Sequence, residues 1–254
     1  MFLTGLAVMG GLMLAVWLIH IPLKNAGIVD VAWAFGLALL ACLYAAMGSG
    51  DGIRKWTLGL MVAIWGLRLT LHLFVRVIGH EEDGRYQQMR KNWTGNIALK
   101  FLGFFQFQAL LNAVLAIPFL LVAINPSPGL SAFEFTGMAI WLVALAGEST
   151  ADQQLKTFKN NPANKGKTCR SGLWNYSRHP NYFFEWLIWV SFFVFGLGSP
   201  YGWVGIIGPA LMLYFLFKVT GIPATEAQAL RTKGDDYKEY QRTTSAFFPW
   251  FKKG

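Results

Sequence analysis

The amino-acid sequence predicts an all-α membrane protein with seven transmembrane helices, and three properties of its composition support this fold class. Of the 254 residues, 54% are apolar and only 14% are charged, and the mean hydropathy is +0.40. In soluble proteins about a quarter of the residues are charged. The composition excludes a disordered chain, and two cysteines are too few for a disulfide-stabilised scaffold.

Seven apolar stretches approach the ~20 residues that a helix needs to cross about 30 Å of hydrocarbon. They are residues 2–21, 27–47, 57–78, 101–123, 132–147, 183–197 and 203–217. The first stretch has no basic residue before it and no small-residue cleavage site after it, which favours a retained span over a signal peptide. Only residues 198–202 separate the last two stretches, which predicts a tight helical hairpin.

The basic residues predict the orientation of these helices. Most of the 22 lysines and arginines follow the first, third, fifth and seventh stretches, and the basic tail includes Lys252 and Lys253. The loops on the opposite side contain only Arg54 and Lys55. By the positive-inside rule, the amino terminus faces outward and the tail lies in the cytoplasm. The net charge of +9 therefore reflects topology rather than nucleic-acid binding, and the absence of a linker predicts one domain over residues 1–254.

Several polar side chains interrupt the apolar stretches. A charged side chain at membrane depth costs at least ~2.5 kcal/mol, so it usually faces protein or a water-filled cavity. Asp30 lies early in the second stretch, and pairing with Arg68 or His72 of the third would hold these helices together. Glu148 and Glu185 lie at the cytoplasmic ends of the fifth and sixth stretches. The concentration of polar groups on one side predicts a polar cavity that opens to the cytoplasm.

The segment between the fifth and sixth stretches is the most informative part of the sequence. Its first half carries a stripe at helical spacing, composed of Glu148, Asp152, Lys156 and Lys159. Carboxylates near the membrane could accept hydrogen bonds from ribose hydroxyls, and lysines further along the helix could contact phosphates. The alternative, which the spacing alone favours, is a solvated helix with ion pairs between its side chains.

The second half of this segment leads into the sixth stretch. Arg178, His179 and Asn181 flank Pro180, which is suited to the start of a helix, where free N–H groups attract phosphate. The alternative is a basic surface loop beside anionic lipid. His179 has no second histidine or cysteine at ligand spacing, so no metal site is predicted.

The carboxy-terminal tail predicts two short helices. Thr225 and Gln228 fit a capping box, from which a helix should run to about Thr232, stop at Gly234 and restart over residues 236–240. The aromatic cluster 247–251 is suited to a membrane surface. Most of the tail is expected to dock onto the rest of the protein. Glu226 is the residue of the tail that could face the predicted polar cavity.

Two familiar nucleotide-binding motifs are missing from the sequence. Gly166-Lys167-Thr168 resembles the end of a phosphate-binding loop, but Asn161 replaces the glycine required five residues earlier. The sequence has no Gly-x-Gly-x-x-Gly after a strand. A dinucleotide would have to be bound by side chains from several loops.

Residues 172–174 (Gly-Leu-Trp) and 176–182 (Tyr-Ser-Arg-His-Pro-Asn-Tyr) resemble the carboxy-terminal signature of the steroid 5-alpha-reductase family. The resemblance is strongest to its bacterial multi-pass membrane branch and covers residues 141–250, with a weaker part at 65–68 and 82–86. The Arg-His-Pro-x-Tyr element also occurs in sterol C14 reductases and isoprenylcysteine carboxyl methyltransferases, so it is specific to a superfamily rather than to one reaction.

The resemblance implies seven transmembrane helices, NADPH bound on the cytoplasmic side and reduction of the Δ4 double bond of a 3-oxo steroid. The cofactor-binding candidates are Arg68, Arg85, Glu148, Asp152, Lys159, Arg170, Arg178, His179, Asn181, Glu185 and Glu226. The sequence departs from the family at Phe184, where glycine is frequent, and at Glu148, where asparagine is frequent. Val29-Asp30 is the nearest counterpart of the Gln-Glu pair that holds the steroid ketone in the family.

The candidate catalytic residues are Asp30 and Tyr86. Hydride addition to the β-carbon of a conjugated enone develops negative charge on the ketone oxygen, which a hydrogen-bond donor stabilises. A protonated Asp30 is the first candidate for this donor, and Tyr86 is the second.

Two other functions are open at the level of sequence. A methyltransferase that uses S-adenosylmethionine would need no contacts to a 2′-phosphate, so the basic residues after the fifth stretch favour NADPH. A lipid carrier would show broken helices or an inverted repeat, and neither is found. The expected partners are a steroid or other enone lipid and membrane lipid, without nucleic acid. The protein is expected to be a monomeric multi-pass integral membrane protein, located in the inner membrane if its source is bacterial.

Overall fold

A computed structural model describes residues 1–219 and 221–252, so Lys253 of the basic tail lies outside the described residues. The chain divides into two compact units. The first comprises Met1–Ala132 with Gly196–Gly202, and the second comprises Phe133–Phe195 with Trp203–Gly254. Throughout the described part, the regular structure is helical, and β-pairing is limited to an isolated bridge between Ser177 and Ser245.

The first unit is built from six helices. They are α1 (Phe2–Leu23), α2 (Ile28–Met47), α3 (Gly52–Val77), α4 (Gly84–Asn92), α5 (Ile97–Leu115) and α6 (Ile117–Ala123). Helix α2 contacts α1, α3, α5 and α6, and its small residues Ala34, Ala38 and Ala41 are buried. Gly66 of α3 packs directly against Ala34 and Ala38. Small side chains allow the backbones of apolar helices to approach closely, which explains the central place of α2.

Polar caps define where three of these helices begin. The N-cap residues of α3, α4 and α5 are Asp51, Asp83 and Asn96, and each side chain accepts a hydrogen bond from a backbone N–H of the first turn. Such caps satisfy N–H groups that have no partner within the helix. Helix α4 also contributes side chains to a polar cluster described below.

The second unit contains five helices. They are α7 (Ala132–Asn160), α8 (Pro180–Gly196), α9 (Ile207–Tyr214), α10 (Ile222–Lys233) and α11 (Asp235–Thr243). A π-helical turn, Phe215–Val219, follows α9. Helix α9 returns along α8, since Trp186 Nε1 donates to the Pro209 carbonyl over 3.2 Å and Gly208 lies under the Trp189 ring.

Several sequence expectations for the second unit are confirmed. Helix α7 continues to Asn160, α8 begins at Pro180, and the tail forms two helices that separate at Gly234. Gly234 has a φ of 56°, a left-handed conformation in which glycine is favoured.

The expected capping box in the tail is wrong. Helix α10 begins at Ile222, with Gly221 as its N-cap and Pro223 in its first turn. The Thr225 hydroxyl therefore lies inside the helix and donates to the Gly221 carbonyl over 3.0 Å. Proline is favoured in a first helical turn because its missing N–H needs no partner there, which moves the start of the helix earlier than the threonine.

Among the residues that the structure describes, five segments are long and apolar enough to cross a membrane, which fits a multi-pass membrane protein. They are Phe2–Leu23, Ile28–Met47, Gly52–Val77, Ile97–Ala123 and Gly202–Lys233. The predicted spans 132–147 and 183–197 fold as α7 and α8 but do not belong to this set. Helix α8 has 17 residues, and α7 is apolar only in its first half.

Helices α7 and α8 run antiparallel and contact each other through glycines of α7. A Cβ atom at Gly137 would lie 2.8 Å from the Phe195 backbone nitrogen, and one at Gly147 would overlap the Phe184 ring. The contact between these helices thus depends on two positions without side chains, one near each end of the apolar part of α7.

We predict that Gly147→Ala destabilises the protein. The added methyl group would displace the Phe184 ring, and overpacking of this kind costs about 1–3 kcal/mol. Thermal unfolding of the full chain in detergent measures the effect. Gly103→Ala is the matched control, because no atom lies within 4 Å of a Cβ at that helical position. Equal unfolding midpoints for the two variants would contradict the proposed packing role of Gly147.

Candidate functional site

The first unit contains a cluster that joins both candidate catalytic residues. Asp30 lies in the first turn of α2, and one of its carboxylate oxygens accepts a hydrogen bond from the Tyr86 hydroxyl over 2.7 Å. Its other oxygen accepts from Arg85 Nη2 over 3.0 Å. Consecutive residues of α4 therefore hold the two oxygens of one carboxylate.

These contacts correct the pairing expected for Asp30. Its hydrogen-bond partners are Arg85 and Tyr86 of α4 rather than Arg68 or His72 of α3. Arg68 is half-buried and His72 is exposed on α3.

Two acidic residues that the sequence analysis did not select fix this cluster. The Asp83 carboxylate accepts hydrogen bonds from the backbone N–H and from Nε of Arg85, over 3.0 and 3.1 Å. Glu82 accepts from the Ala26 backbone N–H over 2.7 Å and from Arg90 Nε over 2.8 Å. These bonds attach the beginning of α4 to the turn before α2. The N-cap position of Asp83 was readable from the sequence, whereas its contact with the Arg85 side chain was not.

The electrostatic environment of the cluster favours a neutral phenol. Burial and the negative charge of Asp30 both raise the pKa of Tyr86 well above 10, while the positive charge of Arg85 opposes them. The Tyr86 side chain is buried, so its hydroxyl acts as a hydrogen-bond donor across the physiological pH range.

A small cleft lies beside the cluster, with a volume of about 110 Å³. Its charged lining consists of three carboxyl groups, those of Asp30, Glu81 and Asp83, and two guanidinium groups, those of Arg76 and Arg85, and Tyr86 is not among the lining residues. The phenol of Tyr86 therefore lies behind the Asp30 carboxyl group. The guanidinium groups can donate hydrogen bonds to a carbonyl oxygen and stabilise negative charge on it.

The second unit contains a separate buried cluster centred on Glu226. The Glu226 carboxylate accepts a hydrogen bond from Arg178 Nε over 2.7 Å and from Gln241 Nε2 over 2.9 Å, and it lies 3.3 Å from His179 Nε2. Arg178 Nη1 also donates to the carbonyls of Gln241 and Thr244 over 2.8 and 2.6 Å. The Arg178 and Glu226 side chains are only 11% and 15% exposed.

This cluster attaches the tail to the start of α8. Arg178 and His179 immediately precede α8, Glu226 belongs to α10 and Gln241 to α11. Because Arg178 already binds one carboxylate and two carbonyls, the arrangement favours a docking role for its guanidinium. The contribution of Gln241 carries no signal in the sequence.

Four further candidates lie on α7 and α8. Asn181 Nδ2 donates to Asp152 over 3.3 Å, and Trp189 Nε1 donates to Glu185 over 3.2 Å. Glu148, one turn before Asp152 on α7, is buried.

The remaining candidates are more peripheral. Lys159 is exposed near the end of α7. Arg170 Nη2 donates to Asp236 over 2.7 Å, and the Thr168 backbone N–H donates to the same carboxylate over 2.8 Å. Although burial opposes it, these hydrogen bonds and the charge of Arg170 hold the pKa of Asp236 below its usual value.

Eight of the thirteen candidates form three local groups. Asp30, Arg85 and Tyr86 meet in the first unit, and the second unit holds the group of Arg178, His179 and Glu226 and the group of Asp152 and Asn181. Within the described ranges, histidine, cysteine and acidic side chains form no cluster of three that could bind a metal ion.

Comparison with known proteins gives the family. A family described as "Protein of unknown function (DUF1295)" matches residues 16–244. The chain belongs to the DUF1295 family. DUF1295 includes steroid 5-alpha-reductase-like proteins. No solved structure matches the chain.

Two curated relatives of the DUF1295 chain differ in how much of it they cover. "Uncharacterized protein C594.04c" of Schizosaccharomyces pombe is 25% identical over 98% of the chain and 79% of its own length. "Probable O-methyltransferase ustE" of Ustilaginoidea virens is 37% identical over 93 residues. That match covers 36% of the chain and 31% of the relative.

We predict that Glu226→Gln destabilises the second unit, because it leaves the mostly buried Arg178 without a counter-charge. Removing one partner of a buried ion pair costs about 3 kcal/mol. Thermal unfolding and protease sensitivity of the tail measure the loss. Glu239→Gln, which breaks the exposed Glu239–Arg242 pair, is the matched control and should leave both readouts unchanged. Similar behaviour of the two variants would contradict a docking role for Glu226.

Proposed function

We propose that this protein is an NADPH-dependent membrane reductase that saturates the carbon–carbon double bond of an enone lipid, with the Δ4 bond of a 3-oxo steroid as the reference substrate. The observation that carries the proposal is the contact of Asp30 with Tyr86 and Arg85 beside a cleft. Membership of DUF1295 supports it, together with the resemblance of residues 141–250 to steroid 5-alpha-reductases.

In this proposal the ketone oxygen binds beside Asp30 and Arg85. When bound, NADPH would supply the hydride for addition to the β-carbon, which shifts an electron pair onto the ketone oxygen. The permanent charge of Arg85 stabilises that oxygen. Asp30 lies between Tyr86 and the cleft, so we assign to its protonated carboxyl group the proton that reaches the oxygen, and to Tyr86 the positioning of that group. The enol then returns to the ketone: a proton from water adds to the α-carbon, and the enol O–H proton returns to Asp30.

The side chains of α7 and α8 fit the binding of a dinucleotide. Asp152 and Glu185 would accept hydrogen bonds from ribose hydroxyls, and Asn181 would orient Asp152. The exposed Lys156 and Lys159, one and two turns further along α7, would contact phosphates. The proposal includes the seven-helix topology, with the amino terminus outside and the cofactor-binding groups in the cytoplasm.

The second candidate function is methyl transfer from S-adenosylmethionine. It is favoured by the partial match to the probable O-methyltransferase of Ustilaginoidea virens. The Arg-His-Pro element, which resembles both reductases and methyltransferases, is compatible with either reaction.

Cofactor binding and product analysis distinguish the two functions. We predict that NADPH raises the unfolding midpoint of the detergent-purified protein more than S-adenosylmethionine does. Incubation with NADPH and a panel of enone steroids should yield a product heavier by two hydrogen atoms, detected by mass spectrometry. Selective stabilisation by S-adenosylmethionine, with a product heavier by a methylene group, would overturn the reductase proposal in favour of the methyltransferase.

Variants in the two units should affect different kinetic constants. We predict that Asp30→Asn lowers kcat by ~10²–10⁴ through loss of the proton donor while NADPH affinity is unchanged. Asp152→Ala should weaken NADPH binding, measured by titration, and Glu239→Gln should alter neither constant. Normal turnover of Asp30→Asn would remove this residue from the mechanism, and normal NADPH affinity of Asp152→Ala would remove Asp152 from the cofactor site.

A further inference from the structure

The tail carries exposed aromatic side chains on a fixed backbone. Phe248, Trp250 and Phe251 are 56%, 70% and 76% exposed, whereas the neighbouring Phe247 is buried. Exposed aromatic groups of this size mark interaction surfaces when they lie together. We call these three rings the tail aromatics.

Hydrogen bonds to the loop before α8 hold the tail aromatics in place. The Arg178 backbone N–H donates to the Ser245 carbonyl over 2.8 Å, and the Trp250 backbone N–H donates to the Tyr176 carbonyl over 3.0 Å. The Ser177 hydroxyl donates to the Phe247 carbonyl over 2.8 Å. The rings therefore project outward from an ordered segment.

The tail aromatics lie beside the beginning of the apolar helix α8. Phe248 packs against Phe183 and Trp186, with ring centroids 5.7 and 5.9 Å apart. Both partners lie in the first two turns of α8, where the chain passes from the polar loop into an apolar helix. Aromatic rings with an amphipathic neighbourhood prefer this boundary between water and hydrocarbon.

A cavity of about 350 Å³ lies among the tail aromatics, and its lining is cationic. Arg178 and Arg242 line it, and no carboxylate does; their acidic partners, Glu226 and Glu239, lie outside the lining. The hydroxyl-bearing Thr244 and Ser245 add hydrogen-bonding groups. The volume is within the range of small-molecule sites, and the lining guanidinium and hydroxyl groups offer hydrogen-bond donors to an anion.

We propose that this cavity binds the phosphate headgroup of an anionic phospholipid, with the tail aromatics against the glycerol and the first carbons of the acyl chains. Arg242 and the two hydroxyl groups contact the phosphate. A soluble anion would leave the three rings in water, whereas a lipid covers them. The lining of this cavity belongs to the second unit and contains none of Asp30, Arg85, Tyr86, Asp152 and Asn181.

The test is a lipid titration of the full-length, delipidated protein in detergent. We predict that phosphatidylglycerol raises the unfolding midpoint, that phosphatidylcholine does so much less, and that inorganic phosphate has no comparable effect. Arg242→Gln should weaken phosphatidylglycerol binding roughly fivefold, the contribution of one basic residue at an anionic membrane surface. Trp250→Ser combined with Phe251→Ser should also weaken it.

Matched variants separate a specific site from general attraction to lipid. Arg231→Gln removes an exposed charge of α10 that does not line the cavity, and Trp203→Ser removes a ring that is 65% exposed elsewhere. Both should bind phosphatidylglycerol as the parent does. Equal stabilisation by the two lipids or by phosphate, or an equal loss in Arg231→Gln and Arg242→Gln, would overturn the proposal. All variants change exposed side chains, so their lipid-free unfolding midpoints should agree and verify folding.

Discussion

Charged groups next to apolar helices must be paired, and this constraint determines the polar contacts of both units. An unpaired charge removed from water costs several kcal/mol, whereas a carboxylate that accepts hydrogen bonds from a guanidinium retains much of its solvation. The first unit meets the constraint with Asp30 and Arg85, at the point where α4 folds against the start of α2. The second unit meets it with Glu226 and Arg178, where the tail meets α8. In both cases the pair also determines the course of a polar segment of the chain.

The helices could be predicted from the sequence because their signals are local. Apolar length placed the helical segments, Pro180 marked the start of α8, and Gly234 separated the two tail helices. The partner of Asp30 could not be predicted in the same way. Arg68 and His72 have the right helical periodicity, but the short helix α4 brings Arg85 and Tyr86 to Asp30 instead. The position of α4 depends on the caps and hydrogen bonds of the loop before it rather than on periodicity.

The contact between α7 and α8 explains one departure from the family pattern. Phe184 occupies a position at which the steroid 5-alpha-reductase family, which the sequence resembles, often has glycine, and a ring at that position would normally crowd the facing helix. Gly147 of α7 lies opposite the Phe184 ring, so the glycine at this contact belongs to α7 instead of α8. The helices keep their close approach, and the Asp152 carboxylate of α7 lies next to Asn181 on α8. The departure is therefore compatible with the proposed site between these two helices.

The cluster around Glu226 offers a reason why the Arg-His-Pro element recurs in enzymes with different chemistry. Arg178 and His179 both contact Glu226, and Arg178 also binds backbone carbonyls of the tail. A motif that fixes the tail against α8 serves any reaction performed beside it, whether hydride or methyl transfer. The selection between these reactions must then depend on other side chains. Under the proposed reductase function, Asp30 and Arg85 would make this selection, because enone reduction needs a donor for a ketone oxygen and methyl transfer does not.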